Sequence, residues 1–145
     1  MNTMAIMMGI QGSGKSTFVK EKFPDFVRVN LDTLHTRNKE NKLIEESFKN
    51  HKDMVIDNTN PTKADREKYI LAAKANGYHI VGYFMQSVLK ECINRNNLRE
   101  GKAKIPASAI AATSNRMELP DLREGFDELF FVSITEDGFK IDKWR

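Results

Sequence analysis

Met4-Ala5-Ile6-Met7-Met8-Gly9-Ile10-Gln11-Gly12-Ser13-Gly14-Lys15-Ser16-Thr17 is the stretch that decides the fold. An apolar run of strand length leads into a glycine-rich turn, and Lys-Ser-Thr then opens a helical segment. From Gly9 to Ser16 the chain satisfies G-x-x-x-x-G-K-[ST] in the strand, loop and helix setting that gives the pattern its meaning. Gly9, Gly12, Ser13 and Gly14 let backbone N–H groups turn toward phosphate oxygens, and the helix start adds its positive end. Lys15 is placed to bridge the β- and γ-phosphates of a nucleotide, Ser16 to ligate Mg2+, and Thr17 to reach the α-phosphate.

Outward from this loop, apolar runs recur at Met4–Met8, Phe26–Val29, Met54–Ile56, His79–Met85 and Leu129–Ile134, with helical patterns between them. The alternation predicts an α/β fold of three layers around a central, mostly parallel sheet. Asn60-Pro61 reads as a helix start and Asn76-Gly77 as its stop. Val88, Leu89, Cys92, Ile93 and Asn96 predict a further helix to about Glu100. The polar elbow of Gly101, Lys102 and Lys104 then precedes a restart at Ile105-Pro106, which makes residues 95–106 a candidate lid. Glu136-Asp137-Gly138 predicts a hairpin that closes the sheet edge. Residues 1–145 read as a single domain without repeat or linker.

The 145 residues are 40% apolar, enough for one core, and the net charge of +3 only says that an anionic partner is not repelled. Cys92 is alone, so neither an internal disulfide nor a Cys/His zinc site is expected, and a reducing cytoplasm fits. Met4–Met8 is too short for a membrane span or a secretory segment, which predicts a soluble protein with no membrane partner.

Two strand ends carry further chemistry. Val29-Asn30-Leu31-Asp32-Thr33-Leu34 puts Asp32 at the carboxyl end of the second strand, where parallel sheets open onto their ligand. Asp32 has two readings there: a base that takes the proton of an attacking hydroxyl, or a cap for the next helix. Met54-Val55-Ile56-Asp57-Asn58-Thr59-Asn60-Pro61 ends the third strand, and Asp57 there is a candidate for magnesium, usually held through water. Arg95 and Arg99 stand four apart, so a helix would put both on one face, either toward a transferring phosphoryl group or as a solvated pair with Glu91 and Glu100.

Taken together, the phosphate loop, V-N-x-D-T-L, V-I-D-N-T-N-P and the later L-P-D-L-R-E-G-F resemble the kinase domain of the 5′-hydroxyl polynucleotide kinases, including those joined to a 3′-phosphatase. The resemblance covers nearly the whole chain. It implies an adenylate-kinase-like P-loop NTPase fold with a helical lid, and an enzyme that moves the γ-phosphate of ATP, with Mg2+, to the 5′-OH end of DNA or RNA. By the same resemblance Asp32 is the general base, Lys15 and Ser16 are phosphate ligands, and Arg99 is the lid arginine, with Arg95 beside it. Asp57 becomes an acceptor-site aspartate in preference to a direct metal ligand, joined by His35, Thr59 and Asn60. Arg37, Lys63, Arg66, Lys102 and Lys104 would line the path of a strand, and Arg116 would support adenine or a phosphate. A ligase or phosphatase on another chain would complete the end chemistry.

The chain departs from that family at two places. Leu31 stands where many members have Arg before the base, and His35 where some have Arg three residues after it, so contacts to the neighbouring phosphate are expected to differ. No D-x-D motif of the phosphatase partner is present, which argues against a dual-function enzyme in this chain. Two other classes use the same phosphate site: small-molecule kinases for nucleosides, sugars or toxin-like targets, and nucleotide switches that only change shape. A switch needs a hydrolytic arrangement and a partner surface, and neither is legible.

Overall fold

The fold was taken from a computed structural model, which describes residues 1–99 and 105–144. Strands β1 (Thr3–Met8), β2 (Val27–Val29), β3 (Met54–Ile56), β4 (His79–Met85), β5 (Glu128–Thr135) and β6 (Gly138–Lys143) form one sheet in the order β2-β3-β1-β4-β5-β6. The first five run parallel, and β6 returns antiparallel on β5 through the expected hairpin, with Thr135 opposite Gly138. Helices α1 (Lys15–Lys22), α2 (Leu31–Leu34), α3 (Arg37–Lys49), α4 (Lys63–Ala75), α5 (Leu89–Asn97) and α6 (Ala107–Arg116) supply the connections.

Central β1 shows why the sequence reads as a continuous apolar run: both of its faces are covered, as parallel sheets require. Because side chains alternate across a strand, Met4, Ile6 and Met8 join one core with Ile56, Ile80 and Ile70, while Ala5 and Met7 join a second with Phe18, Val55 and Met85. Chain order reverses direction about β1, and the carboxyl ends of β1, β2 and β3 therefore converge on one crevice. None of the described helices is long and apolar enough to cross a membrane.

Two local expectations are corrected. α4 does not begin at Pro61: Thr62 is its cap, forming a reciprocal box with Asp65, and Asn60 sits before it in a left-handed turn at φ 44°. α5 ends at Asn97, short of Glu100. Much of the lid elbow, residues 100–104 with Lys102 and Lys104, lies outside the described residues.

Candidate active site

The phosphate loop leaves β1 and enters α1 through Gly14, whose φ of 92° is a left-handed conformation that side chains resist. Gly12 is also required, because a Cβ there would collide with the Cys92 carbonyl oxygen of α5. α5 thus rests directly against the loop, and Arg95 fastens the contact: its Nε donates to the Gly12 carbonyl at 2.6 Å. Arg95 is spent on the backbone of the loop, and of the two arginines four apart only Arg99 is among the described residues that line the cavity, with Ile105 and Arg116.

Lys15, Ser16 and Thr17 line a cavity of about 900 Å³ together with Asp32, His35, Arg37, Asp57 and Thr59. The Lys15 ammonium donates to the Ile10 carbonyl at 3.0 Å. Burial brings its pKa down to about 8; the Asp57 charge pulls it back up, Arg99 pushes it lower, and Asp32 also acts to raise it. The lysine therefore already senses both carboxylates and the lid-side arginine.

Asp57 is 1% exposed, and its Oδ2 accepts from Ser16 Oγ at 3.3 Å and from Arg28 Nε at 2.8 Å. Arg28 Nη2 also donates to Ser16 Oγ at 3.1 Å, so one guanidinium bridges hydroxyl and carboxylate. A buried carboxylate and a hydroxyl converging on a cationic group form a donor set suited to a hard divalent ion such as Mg2+. Among the described residues no group of three or more His, Cys, Asp or Glu is placed to hold a metal ion, so phosphate oxygens and water would supply the other ligands.

The D-N-T-N segment stitches the strand ends together. Asp57 N–H donates to the Val29 carbonyl and Gly9 N–H to the Thr59 carbonyl, at 2.8 and 3.1 Å. The Asn60 amide donates to the Met7 carbonyl at 2.7 Å and the residue is 4% exposed, so its donor holds β1 while the residue borders the cavity. Asp32 does not cap α2. That role belongs to Asn30, whose Oδ1 accepts from the Thr33 N–H and hydroxyl at 3.0 Å each. Asp32 is exposed on the first turn, and His35 closes α2 in a left-handed conformation at φ 71°.

Arg66 is corrected outright. It is fully buried, with Nη2 donating to the Glu118 carbonyl at 2.6 Å and Nη1 paired with Glu124 at 3.3 Å, so it cannot meet a strand. Arg37 does line the cavity, whereas Lys63 borders a separate, smaller hollow with Glu67 and Leu71. Arg116 reaches Asp65 at 4.0 Å. Sequence reasoning missed Arg28, whose only signal was a charge inside the short strand V-R-V, and buried Glu40, which had none.

A family model described as AAA domain matches residues 4–120. The bifunctional polynucleotide phosphatase/kinase of Schizosaccharomyces pombe is 32% identical over 94% of this chain, and a protein of Acanthamoeba polyphaga mimivirus named for the same two activities is 32% identical over 98% of it. The chain spans only about a third of these relatives, 34% and 36% of their lengths. Among solved structures, a gluconokinase from Sinorhizobium meliloti superposes with a TM-score of 0.62 at 19% identity, covering 92% of this chain and 83% of that one. That likeness concerns the fold.

Proposed function

The chain belongs to the AAA domain family of P-loop proteins, and from that premise we propose that it is an ATP-dependent, magnesium-requiring kinase of polynucleotide 5′-hydroxyl ends. One observation carries this reading: Asp32 shares a cavity with Lys15 and Ser16 and is relieved of capping by Asn30. Its carboxylate takes the proton of the acceptor hydroxyl as that oxygen attacks, while Lys15 and Arg99 hold the negative charge of the transferring group. Ser16 and Asp57 would hold Mg2+, which when bound would neutralise phosphate charge. Thr17 and Arg116, which line the same cavity, would serve the nucleotide, and His35, Thr59 and Arg37, which also line it, would serve the acceptor. The alignment of nearly all of this chain with about a third of two polynucleotide phosphatase/kinases supports a nucleic-acid end as acceptor. A phosphatase or ligase activity supplied elsewhere would act on the same ends, in the cytoplasm.

Replacing Asp32 with Asn keeps shape and removes the base. On a 5′-OH oligonucleotide the rate should fall roughly 10²–10⁴-fold with ATP affinity little changed. Normal turnover of the variant would end the assignment. The second reading, a small-molecule kinase, is favoured by the fold likeness to gluconokinase.

A further inference from the structure

Helix α2 is a single turn, Leu31–Leu34, with no buried residue. One turn cannot persist by propensity, and with only half-buried Leu34 packed against the core its place also depends on hydrogen bonds made at its ends. Two side chains supply them. Asn30 Nδ2 donates to the Asp57 carbonyl at 2.6 Å, and Asn58 Oδ1 accepts the Leu31 N–H at 2.9 Å. The second bond depends on which way round the Asn58 amide sits, and Glu40 sets that together with Tyr69, whose hydroxyl accepts from Asn58 Nδ2 at 3.3 Å and itself donates to Glu40. Asn58 Nδ2 donates to Glu40 Oε2 at 3.1 Å, so an acceptor-only carboxylate faces the amide nitrogen and a donor-only backbone N–H faces its oxygen.

We propose that Glu40 is a positioning residue for Asp32: through Asn58 it fixes the start of α2 and so the carboxylate that α2 presents to the cavity. The inference rests on Asp32 being the base. Glu40 is itself immobilised. It is fully buried, and its other oxygen, Oε1, accepts from Tyr69 Oη at 2.9 Å, Arg37 Nη1 at 3.0 Å and Lys68 Nζ at 3.1 Å. Burial acts to raise the Glu40 pKa, but hydrogen bonds from Tyr69 and Lys68 outweigh it and hold the group below its ordinary range. An ionised acceptor in a fixed place therefore orients Asn58, one residue beyond Asp57. The competing role, a tie between α3 and α4 through Lys68 and Tyr69, would leave α2 indifferent to the polarity of the Glu40–Asn58 contact.

Polarity can be reversed without changing net charge. E40Q sets an amide nitrogen against Asn58 Nδ2, and N58D sets two carboxylates together; in E40Q/N58D the new amide donates to Asp, whose other oxygen still accepts the Leu31 N–H. The readouts are amide hydrogen exchange over residues 31–34, and kcat with KM for ATP on a 5′-OH oligonucleotide, using the full chain. Each single variant should exchange faster there and lose about 10–100-fold in kcat with ATP KM within about twofold, and the double should recover to within about threefold of the parent. A double variant no better than the worse single overturns the proposal, even if E40Q alone fails to fold. D32N separates the premise: full activity in D32N refutes the base, while an inactive D32N beside a fully active E40Q refutes only the positioning role.

Discussion

Arg28 holds together the two groups that a magnesium ion would use, Ser16 Oγ and Asp57 Oδ2, and this makes a prediction that does not depend on turnover. Arg28→Ala leaves a carboxylate of 1% exposure without its partner, which should cost roughly 1–3 kcal/mol given that Arg28 itself is partly solvated. Added Mg2+ should then raise the melting temperature of the variant more than that of the parent; equal gains would remove Asp57 from the metal site. Lys15 carries a second residue-scale consequence. Between about 8 and the ordinary lysine value of 10.5, the unfolded chain holds a proton that the ligand-free folded chain has released. Stability should therefore rise with pH across that window, and below it the buried charge is a cost. Lys15→Met should abolish transfer yet stabilise the ligand-free protein at pH 7 by roughly 1–2 kcal/mol, read by denaturant melts at pH 7 and 10. At this scale the loop glycines, Lys15 and Ser16 were legible because their spacing is the chemistry. Arg28 and Glu40 were not, because an ion pair across strands or between helices leaves no periodic mark.

At the level of elements, α5 and the phosphate loop form one unit, joined by the Arg95–Gly12 bond and by the absence of a side chain at Gly12. Gly12→Ala should push α5 off the loop, lowering the melting temperature and ATP affinity together; a variant that binds ATP normally would show that the contact is dispensable. Element order and type were legible from period alone, since β1, β3 and β4 are buried on both faces and read as apolar runs. Boundaries set by side-chain caps were harder to place. Asn60-Pro61 looks like a helix start, but the Thr62–Asp65 box captures the N-terminus two residues later and leaves Asn60 to hold Met7. The same logic hid the role of Asn30: either Asn30 or Asp32 can cap by sequence, and only geometry separates cap from base.

Across the whole molecule, the β2-β3-β1-β4-β5 order brings V-N-x-D, D-N-T-N and the phosphate loop, separated along the chain, to one edge of the sheet. The phosphate half of that crevice is common to many P-loop kinases, and a gluconokinase shares the fold, so the acceptor is where the account is most exposed. A strand acceptor would meet Arg37 on the cavity wall and release counterions, making its KM climb with salt, whereas a nucleoside or sugar carries no such chain of charge. With Leu31 and His35 in place of expected arginines, dependence on the phosphate next to the reacting nucleotide should be weak. The most direct measurement is transfer from γ-labelled ATP, with Mg2+ and with EDTA, to a panel of a short 5′-OH oligonucleotide, its 5′-terminal nucleoside and a set of sugars including gluconate. A polynucleotide 5′-kinase should label the oligonucleotide far above the rest, with labelling lost in EDTA and weakened by salt. Equal labelling of the nucleoside, or labelling of a sugar alone, would contradict that assignment.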